Sequence, residues 1–455
     1  MAGRLAAVVG EEHVRDDPGA LRVFGQDATP LHRGRPDVVV FPGSTAEVAG
    51  VLAVASELGL PVIPRGAGSN LSAGTIADRG GIMLTLTRMD RLLEIDLENL
   101  AAVCQPGVTN AALAAAAAGH GLLYPPDPGS RTTSTIGGNV AENAGGLRGL
   151  KYGVTRDYLL GCEAVLATGE VIRAGGKLVK EVAGYDLLRL LCGSEGTLAV
   201  LTELTLRLVP APESSGLGLA YFPSLAAAGR AVSRVLRGGV LPATLEFLDA
   251  VCIETVEDFA AVGLRRDAGA VLIFGQDGGP EGVQRDVARI AEACEAEGAI
   301  EVNVARDAAE GERILDARRA ALPSLSRLGR VTLLEDATVP RSEIAAMVER
   351  IEAAGARHGL RIGTFGHAGD GNLHPTIVLP DPDDAEAVER AHRAFDEIFQ
   401  AAIDLGGTIT GEHGVGLAKL SFLERRHGAD HVALLRRIKH AFDPQGILNP
   451  GKLGS

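Results

Sequence analysis

The glycine-rich run that says most about the fold is Thr133-Ser134-Thr135-Ile136-Gly137-Gly138-Asn139-Val140-Ala141-Glu142-Asn143-Ala144-Gly145-Gly146, preceded by Pro125-Pro126-Asp127-Pro128-Gly129-Ser130. Its glycines leave backbone amides accessible, and its Ser, Thr and Asn side chains add hydroxyl and amide groups in a small space. Such a set suits a pyrophosphate and a heteroaromatic ring with carbonyl and N–H edges. The alternative is a long structural loop, but loops of this length inside a compact domain are uncommon unless functional.

A second glycine-rich loop is Pro64-Arg65-Gly66-Ala67-Gly68-Ser69-Asn70-Leu71, which follows a predicted strand at residues 60–64. Glycine lets backbone amides approach a phosphate, and Arg65, Ser69 and Asn70 supply further donors. The loop lacks the third glycine of the dinucleotide-binding fingerprint and the Gly-Lys-Ser/Thr of a P-loop. Taken alone, it fits a plain turn as well as a phosphate site.

Two short motifs near the C-terminus concentrate 3 of the 11 histidines. They are Phe365-Gly366-His367-Ala368-Gly369-Asp370-Gly371-Asn372-Leu373-His374 and Gly411-Glu412-His413-Gly414-Val415-Gly416. Two imidazoles and a carboxylate can hold a divalent metal and leave positions open for substrate and water. His413 is then available to take a proton at neutral pH. Each motif alone fits surface histidines on glycine-rich turns, but together they favour a catalytic metal site.

Hydrophobic periodicity predicts an α+β chain. The arrangement of predicted strands and helices changes near the linker Pro210-Ala211-Pro212. Before this linker, Ser44 and Glu47 form a capping box for a helix that ends at Gly59. The predicted strands there are 38–41, 60–64, 82–86, 92–95, 101–105, 158–167, 170–173 and 197–209, with a helix at 109–118 and a loop-rich stretch at 124–152. After it, strands 217–222, 244–248 and 270–274 alternate with helices 224–236, 281–296 and 341–358, followed by a long helix at 384–405.

Composition excludes several classes of protein. The net charge of −14 argues against a nucleic-acid binder and against docking on anionic lipid. The five cysteines are scattered without a CxxC pair, which disfavours an iron–sulfur cluster or zinc ribbon and suits a reducing cytoplasm. The first residues lack the features of a signal peptide, and glycines and prolines interrupt the uncharged stretch 99–130, so no integral membrane segment is expected. A homodimer is only a default expectation.

Several motifs together resemble those of a known family. The loop 64–70, Pro126-Asp127-Pro128 with 135–139, and Cys192-Gly193-Ser194-Glu195-Gly196-Thr197-Leu198 resemble the flavin domain of the vanillyl-alcohol oxidase superfamily, of the p-cresol methylhydroxylase type. Residues 365–374, 411–416 and Asn449-Pro450-Gly451-Lys452 resemble its 2-hydroxy-acid dehydrogenase branch, which includes D-lactate dehydrogenases, D-2-hydroxyglutarate dehydrogenase and a component of glycolate oxidase. The resemblance spans about residues 35–452.

The resemblance implies an α+β architecture in three parts. Residues 1–212 would form a bipartite FAD-binding domain of the p-cresol methylhydroxylase type, with a boundary between subdomains near 95–105. Residues 213–410 would form an α+β cap domain with an antiparallel sheet and the metal motif. Residues 411–455 would return to the FAD domain as C-terminal helices and complete the active site and the FAD pocket.

The resemblance also implies which residues hold the cofactor. The first loop contains no histidine, so FAD is expected to be bound non-covalently. The residues implied as cofactor contacts are Pro64, Arg65, Gly66, Ala67, Gly68, Ser69, Asn70, Leu71, Pro126, Asp127, Ser130, Thr135, Ile136, Gly137, Gly138, Asn139, Asn143, Glu195, Val200 and Asn449.

In the chemistry that the resemblance implies, His367, His374 and Glu412 bind zinc or manganese and His413 is the base. A 2-hydroxy acid would chelate the metal, lose its hydroxyl proton to His413 and pass a hydride from C2 to flavin N5. Arg318 matches the family position that binds the substrate carboxylate, although Arg319 beside it competes for this role.

Two departures from the family restrict the expected substrate. Leu315 stands where many relatives have tryptophan, and Leu334 precedes Asp336 and Pro340 where the 2-hydroxyglutarate enzymes place a lysine. Without that cation a second carboxylate loses its partner, so a monocarboxylate such as glycolate or D-lactate is expected, with a larger apolar 2-hydroxy acid as the alternative. The alternatives are a metal-dependent hydrolase and a non-catalytic flavin subunit of a larger complex. The expected electron acceptor is a separate iron–sulfur subunit, a cytochrome, a quinone or oxygen.

Overall fold

A computed structural model describes residues 1–454, leaving aside the side chain of Ala308, and its chain is divided into two units. The first unit comprises Met1–Gly145, Val154–Ala211 and the residues from Glu412 onwards. The second comprises Gly146–Gly153 and Pro212–Gly411. The chain therefore enters the second unit twice.

The first sheet of the first unit has four strands, in the order Val14–Arg15, Val38–Val40, Ile82–Thr85 and Val62–Arg65. The predicted β-α-β unit is present, but Ile82–Thr85 lies between its two strands and runs parallel to both. Its helix, Thr45–Leu58, begins where Ser44 Oγ accepts a hydrogen bond from the Glu47 amide at 3.2 Å. It ends at Gly59, whose φ of 62° is left-handed, and it buries its apolar face on the sheet.

The second sheet of this unit is antiparallel and has five strands. Their order is Leu92–Asp96, Ala101–Cys104, Val200–Arg207, Leu159–Val165 and Val171–Gly175. The last two form the predicted hairpin, in which Val165 pairs with Val171. A two-stranded pair, Leu122–Leu123 with Val209–Pro210, lies outside this sheet.

The stretch 124–152, predicted as loop-rich, contains two short helices, Ile136–Glu142 and Gly149–Tyr152. Thr135 caps the first helix by accepting a hydrogen bond from the Gly138 amide at 3.3 Å. The loop prediction was wrong here because Gly137 and Gly138 have low helix propensity, and only the cap and tertiary packing make the turn helical.

The second unit is built on one large antiparallel sheet, as the α+β cap prediction required. Its strand order is Glu301–Val304, Ser214–Phe222, Ala270–Gly278, Thr244–Asp249, Ile362–His367, Asn372–Leu379 and Val331–Leu334, with Ala337–Thr338 paired to Asn372–Leu379. The helices of this unit are Gly149–Tyr152, Leu225–Arg237, Ala250–Ala260, Pro280–Ala296, Ala308–Arg319, Ala321–Leu325, Ile344–His358 and Ala385–Asp404.

The C-terminal helices belong to the first unit, which confirms the predicted return of the chain. The helices of this unit are Ala2–Val9, Pro18–Phe24, Thr45–Leu58, Asn110–Ala118, Ile136–Glu142, Leu187–Leu191, Leu420–His427 and Ala429–Phe442. Lys439 Nζ fastens the last helix by donating to the carbonyls of Thr197 at 2.7 Å and Leu448 at 2.6 Å. Among residues 1–454, no helix combines the length and apolar character needed to cross a membrane.

Candidate active site

The two glycine-rich loops meet within the first unit. A Cβ atom on Gly66 would collide with Thr135 Oγ1, and one on Gly137 would lie 2.5 Å from Pro106 Cβ. The Gly137 amide donates to the Pro106 carbonyl at 2.8 Å. The glycines at these positions are therefore needed for close approach, which brings the loop after Val62–Arg65 against the start of Ile136–Glu142.

The buried side chain of Arg65 binds residues on either side of the first loop. Its Nη1 donates to the Gln26 carbonyl at 2.7 Å and to Thr75 Oγ1 at 3.2 Å, and its guanidinium lies over the Phe24 ring. Burial lowers the pKa of Arg65, against the opposing effect of Asp27. The sequence suggested that the Arg65 side chain is a phosphate donor, but at least part of its donor capacity is used within the protein.

Several buried polar atoms in the same unit have no hydrogen-bond partner among the residues that the structure describes. They include Asn70 Nδ2, Ser72 Oγ, Ser134 Oγ, Asn139 Nδ2 and Asn449 Oδ1. A buried polar atom without a partner costs about 1–3 kcal/mol. Because three of these residues were predicted cofactor contacts, the unit offers unsatisfied donors and an acceptor for a polar cofactor such as FAD.

Glu195 and Asn449 connect the segment from Glu412 onwards to earlier parts of the first unit. The Glu195 carboxylate accepts hydrogen bonds from the amides of Val415 at 2.7 Å and Gly416 at 2.8 Å. Asn449 Nδ2 donates to the carbonyls of Gly74 at 2.9 Å and Glu195 at 2.7 Å. Glu195 and Asn449 both have a positive φ, of 53° and 41°, so these contacts hold a backbone form that non-glycine residues rarely adopt.

The other predicted cofactor residues have defined local partners. Asn143 ends the helix Ile136–Glu142 with a φ of 55°, and its Oδ1 accepts from the Arg156 amide at 2.9 Å. Asp127 is bound to Arg131 at 3.3 Å, and the Pro126 carbonyl accepts from Asn110 Nδ2 at 3.1 Å. Two further positions are Ser130, whose carbonyl accepts from the Ser134 amide, and Val200, which is buried and paired with Val165.

Glu142, a buried acid in the glycine-rich run 133–146, is not among the predicted site residues. Burial raises the pKa of Glu142 well above 4.5, and the nearby carboxylates of Glu195 and Asp27 raise it further. A Cβ atom on Gly414 would collide with Glu142 Oε2. Glu142 is therefore packed directly against the backbone that follows Glu412 and His413.

His367 and His374 lie on one β-hairpin of the second unit. His367 ends the strand Ile362–His367, and His374 is the third residue of Asn372–Leu379. In the antiparallel register His367 faces Asn372 and Phe365 faces His374, so both histidines lie on the same face. Their ring centroids are 5.2 Å apart, and the rings are nearly perpendicular.

A buried glutamate on the neighbouring strand connects two predicted site residues. His367 Nδ1 lies 2.8 Å from Glu246 Oε1, and Arg318 Nε donates to Glu246 Oε2 at 2.7 Å. All three side chains are nearly inaccessible, with exposures of 6%, 1% and 8% for His367, Glu246 and Arg318. No local motif singles out Glu246, although an acid between Leu245 and Phe247 in a largely apolar strand is a usable signal.

Glu412 follows a backbone that the second unit holds in place. Buried Asp336 accepts hydrogen bonds from the Gly411 amide at 2.6 Å and from Thr410 Oγ1 at 3.1 Å. One ligand atom each from His367, His374 and Glu412 lies within 4.8 Å of the others. The predicted trio is thus brought together, and its donors suit zinc or manganese. His413 is next along the chain, with Nε2 3.9 Å from Glu412 Oε1.

Comparison with known families decides the assignment. Residues 36–175 match the FAD binding domain family, and residues 211–453 match the family of FAD linked oxidases, C-terminal domain. The chain belongs to the FAD-linked oxidase family. It is therefore an FAD-linked oxidoreductase, and residues 36–175 of its first unit and of the segment 146–153 match the FAD binding domain.

Similar proteins in this family cover almost the whole chain. The FAD-linked oxidase is 49% identical to glycolate oxidase subunit GlcD of Bacillus subtilis, over 99% of this chain and 96% of the relative. It is 38% identical to glycolate oxidase subunit GlcD of Escherichia coli K12, over 94% and 85%. It is 40% identical to D-lactate dehydrogenase of Archaeoglobus fulgidus, over 91% of each chain.

Solved structures confirm the fold of this FAD-linked oxidase. p-Cresol methylhydroxylase with substrate bound matches with a TM-score of 0.84 at 18% identity, over 100% of this chain and 96% of the other. 4-Ethylphenol oxidase from Gulosibacter chungangensis matches with a TM-score of 0.82 at 22% identity, with the same coverage. The predicted p-cresol methylhydroxylase-type architecture is therefore correct.

Proposed function

We propose that this FAD-linked oxidoreductase oxidises a small 2-hydroxy acid, glycolate or D-lactate, to the 2-oxo acid, using non-covalent FAD and a divalent metal, zinc or manganese. The observation that supports this most directly is the convergence of ligand atoms from His367, His374 and Glu412 within 4.8 Å. Relatives named as glycolate oxidase subunits and D-lactate dehydrogenases support the substrate class.

Each residue of the proposed site has a separate task. When bound, FAD supplies a hydride acceptor at flavin N5, and the metal supplies a Lewis acid that lowers the pKa of the substrate hydroxyl. His413 removes the hydroxyl proton as general base. Arg318 binds the substrate carboxylate, and its contact with Glu246 orients the guanidinium beforehand.

The cofactor contacts that we propose are those implied by the sequence, with the glycine-rich loop 64–71 near the pyrophosphate. The orphaned polar atoms of Asn70, Asn139 and Asn449 support this assignment because FAD offers both donors and acceptors. Gly66 supports it because a Cβ atom there would collide with Thr135 Oγ1, at the point where the two loops meet.

The substrate is a monocarboxylate in this proposal. Arg318 is the buried cation assigned to one carboxylate, and Leu334 stands where a lysine would bind a second one. Arg319 does not compete well, since its guanidinium pairs with Glu312 and Asp316 on its own helix. Glycolate and D-lactate each present one carboxylate next to one hydroxyl.

Reduced flavin must pass its electrons to a separate acceptor, and an iron–sulfur subunit, a cytochrome, a quinone or oxygen would each serve. Relatives with the name glycolate oxidase subunit support a partner subunit. The proposal places the protein in a reducing cytoplasm, which its five free cysteines support. A homodimer stays a default prediction.

The test is anaerobic flavin reduction followed by absorbance. Addition of glycolate or D-lactate should bleach the flavin band of the purified protein, and prior treatment with a chelator should abolish the bleaching. His374→Asn should lose metal and slow the bleaching by at least about 100-fold, because metal catalysis supplies several kcal/mol.

The matched control is His440→Asn, which makes the same change at an exposed position on the helix Ala429–Phe442. It should bleach like the unaltered protein. A yellow protein that neither acid bleaches would contradict the proposed substrates and favour a non-catalytic flavin subunit. Bleaching that survives complete metal removal would contradict the metal. The metal-dependent hydrolase is disfavoured because residues 36–175 match an FAD binding domain.

A further inference from the structure

Glu246 uses both of its carboxylate oxygens on predicted site residues of the second unit. Oε1 faces His367 Nδ1 at 2.8 Å, and Oε2 accepts from Arg318 Nε at 2.7 Å. The glutamate is 1% exposed, so water competes little for either contact. Burying a carboxylate costs several kcal/mol of desolvation. The contacts with His367 and Arg318 offset this cost.

The contact with His367 selects one form of the imidazole ring. A carboxylate accepts hydrogen bonds, so the Nδ1 that faces it must carry the proton. In a neutral ring the lone pair then lies on Nε2, which is the atom that would bind the metal. A carboxylate behind a ligating histidine fixes the ring and makes it a stronger ligand.

The contact with Arg318 orients the other proposed substrate-binding group. The guanidinium is planar, so fixing Nε sets the plane in which its remaining N–H groups point. The Phe365 ring lies under the guanidinium at 4.8 Å and restricts it from a second side. Glu246 and Phe365 together leave Arg318 little freedom to reorient.

Resting on the function proposed above, we infer that Glu246 is a positioning residue that prepares the metal ligand His367 and the carboxylate-binding Arg318 with one side chain. Glu246 does not contact the reacting atoms in this assignment. It acts through its two neighbours, so metal affinity and substrate affinity depend on the same carboxylate.

Glu246→Gln tests the inference because the amide keeps the shape but has only one acceptor oxygen. Either His367 or Arg318 then faces an NH2 group. Metal-free protein is titrated separately with Zn²⁺ and Mn²⁺ by equilibrium dialysis, a measurement that needs no turnover. The metal Kd should rise by about 10–100-fold, and the KM for glycolate or D-lactate should rise as well.

The matched control is Glu163→Gln in the first unit. Glu163 is also a buried strand glutamate bound to an arginine, since it accepts from Arg173 Nε at 2.9 Å, and it is not a predicted site residue. Loss of stability without loss of metal affinity is expected there. Glu246→Asp is a second variant in case Glu246→Gln does not fold. Its shorter side chain cannot reach both partners, so it should also weaken metal binding.

The outcomes separate the two proposals. Metal Kd and KM of a folded Glu246 variant within twofold of the Glu163→Gln values would overturn the positioning role and leave the proposed function intact. Unaltered protein that binds no stoichiometric Zn²⁺ or Mn²⁺ would overturn the metal in the proposed function and this inference together. A raised metal Kd in the Glu246 variants alone supports the inference.

Discussion

Gly414 shows how one residue can be fixed by two independent constraints. Its φ is 84°, in the region that L side chains rarely adopt, and a Cβ atom there would collide with Glu142 Oε2 and lie 3.0 Å from Glu195 Oε1. The residue follows His413 directly, so any displacement of its backbone also moves the proposed base.

Gly414→Ala is expected to reduce both stability and flavin reduction. Gly428→Ala is the matched control, because Gly428 has the same φ of 84° but no atom within 4 Å of a new Cβ. Backbone strain alone costs about 1–2 kcal/mol at each site. Urea unfolding should show a larger loss for Gly414→Ala, with slowed flavin bleaching in that variant only. Equal losses of unfolding free energy in the two variants would show that close packing against Glu142 and Glu195 does not constrain Gly414.

Glu142 should make stability depend on pH. Its folded pKa is raised by burial, with Glu195 and Asp27 adding to the effect, so the protonated form is the one that fits the fold. The contribution of protonated Glu142 to the free energy of unfolding is fully present below the ordinary pKa of 4.5. It is lost as the pH rises through the raised pKa of the folded protein. Each unit of the shift corresponds to about 1.4 kcal/mol.

Glu142→Gln should therefore raise the free energy of unfolding at pH 8 and have a smaller effect at pH 5. Urea unfolding at the two pH values, at equal FAD concentration, measures the difference. Glu98→Gln, at an exposed position, is the control and should change neither value. A larger gain at pH 5 than at pH 8 would have the wrong sign.

The last long helix, Ala429–Phe442, is held by a buried ion pair as well as by apolar contacts. Lys439 Nζ binds Asp443 Oδ2 together with the carbonyls of Thr197 and Leu448, and Asp443 accepts from the Leu448 amide at 2.7 Å. Burial lowers the pKa of Lys439, against the opposing effect of Asp443. This helix therefore keeps the segment before Asn449 in place.

Lys439→Met should destabilise the protein by about 3–5 kcal/mol, because it leaves the Asp443 charge buried and without its cation. Adding Asp443→Asn should recover part of the loss, which a double-mutant cycle of unfolding free energies will show. Lys180→Met, at an exposed lysine, is the control. A double variant that is as unstable as the sum of the single variants would contradict the coupling.

The sequence predicted elements well where hydrophobic spacing is regular. The strands Val62–Arg65 and Thr244–Asp249 and the helix Thr45–Leu58 agree with the pattern to within two residues or so. The helix Ile136–Glu142 was missed because glycines hide it. The insertion of Ile82–Thr85 between two consecutive strands was not predictable, since strand order depends on contacts distant in sequence.

The sequence predicted the residues of the candidate metal site but not the hydrogen bonds that Glu246 makes with His367 and Arg318. Local motifs identified His367, His374 and Glu412, whose ligand atoms converge. Glu246 lies 121 positions from His367 and 72 from Arg318, so no local motif includes it with either partner. A charged residue in an apolar strand signals a partner, but the sequence does not say which one.

At the scale of the whole molecule, the path of the chain determines which segments support the histidine hairpin. The short segment Gly146–Gly153 leaves the first unit and packs in the second. There Lys151 and Tyr152 bind Asp277, and Leu150 lies where a Cβ atom on Gly369 would project. Gly369 belongs to the turn between His367 and His374, so this segment supports the hairpin that carries both histidines.

The ties that Glu195 and Asn449 make also bear on how the protein is produced. A ribosome makes the glycine-rich loops and Glu195 before it makes Val415, Gly416 and Asn449. Until then the Glu195 carboxylate has no amides from Val415 and Gly416, and the Gly74 carbonyl lacks its bond from Asn449. We therefore expect a chain whose translation stops before Asn449 to lack these contacts and to bind FAD more weakly.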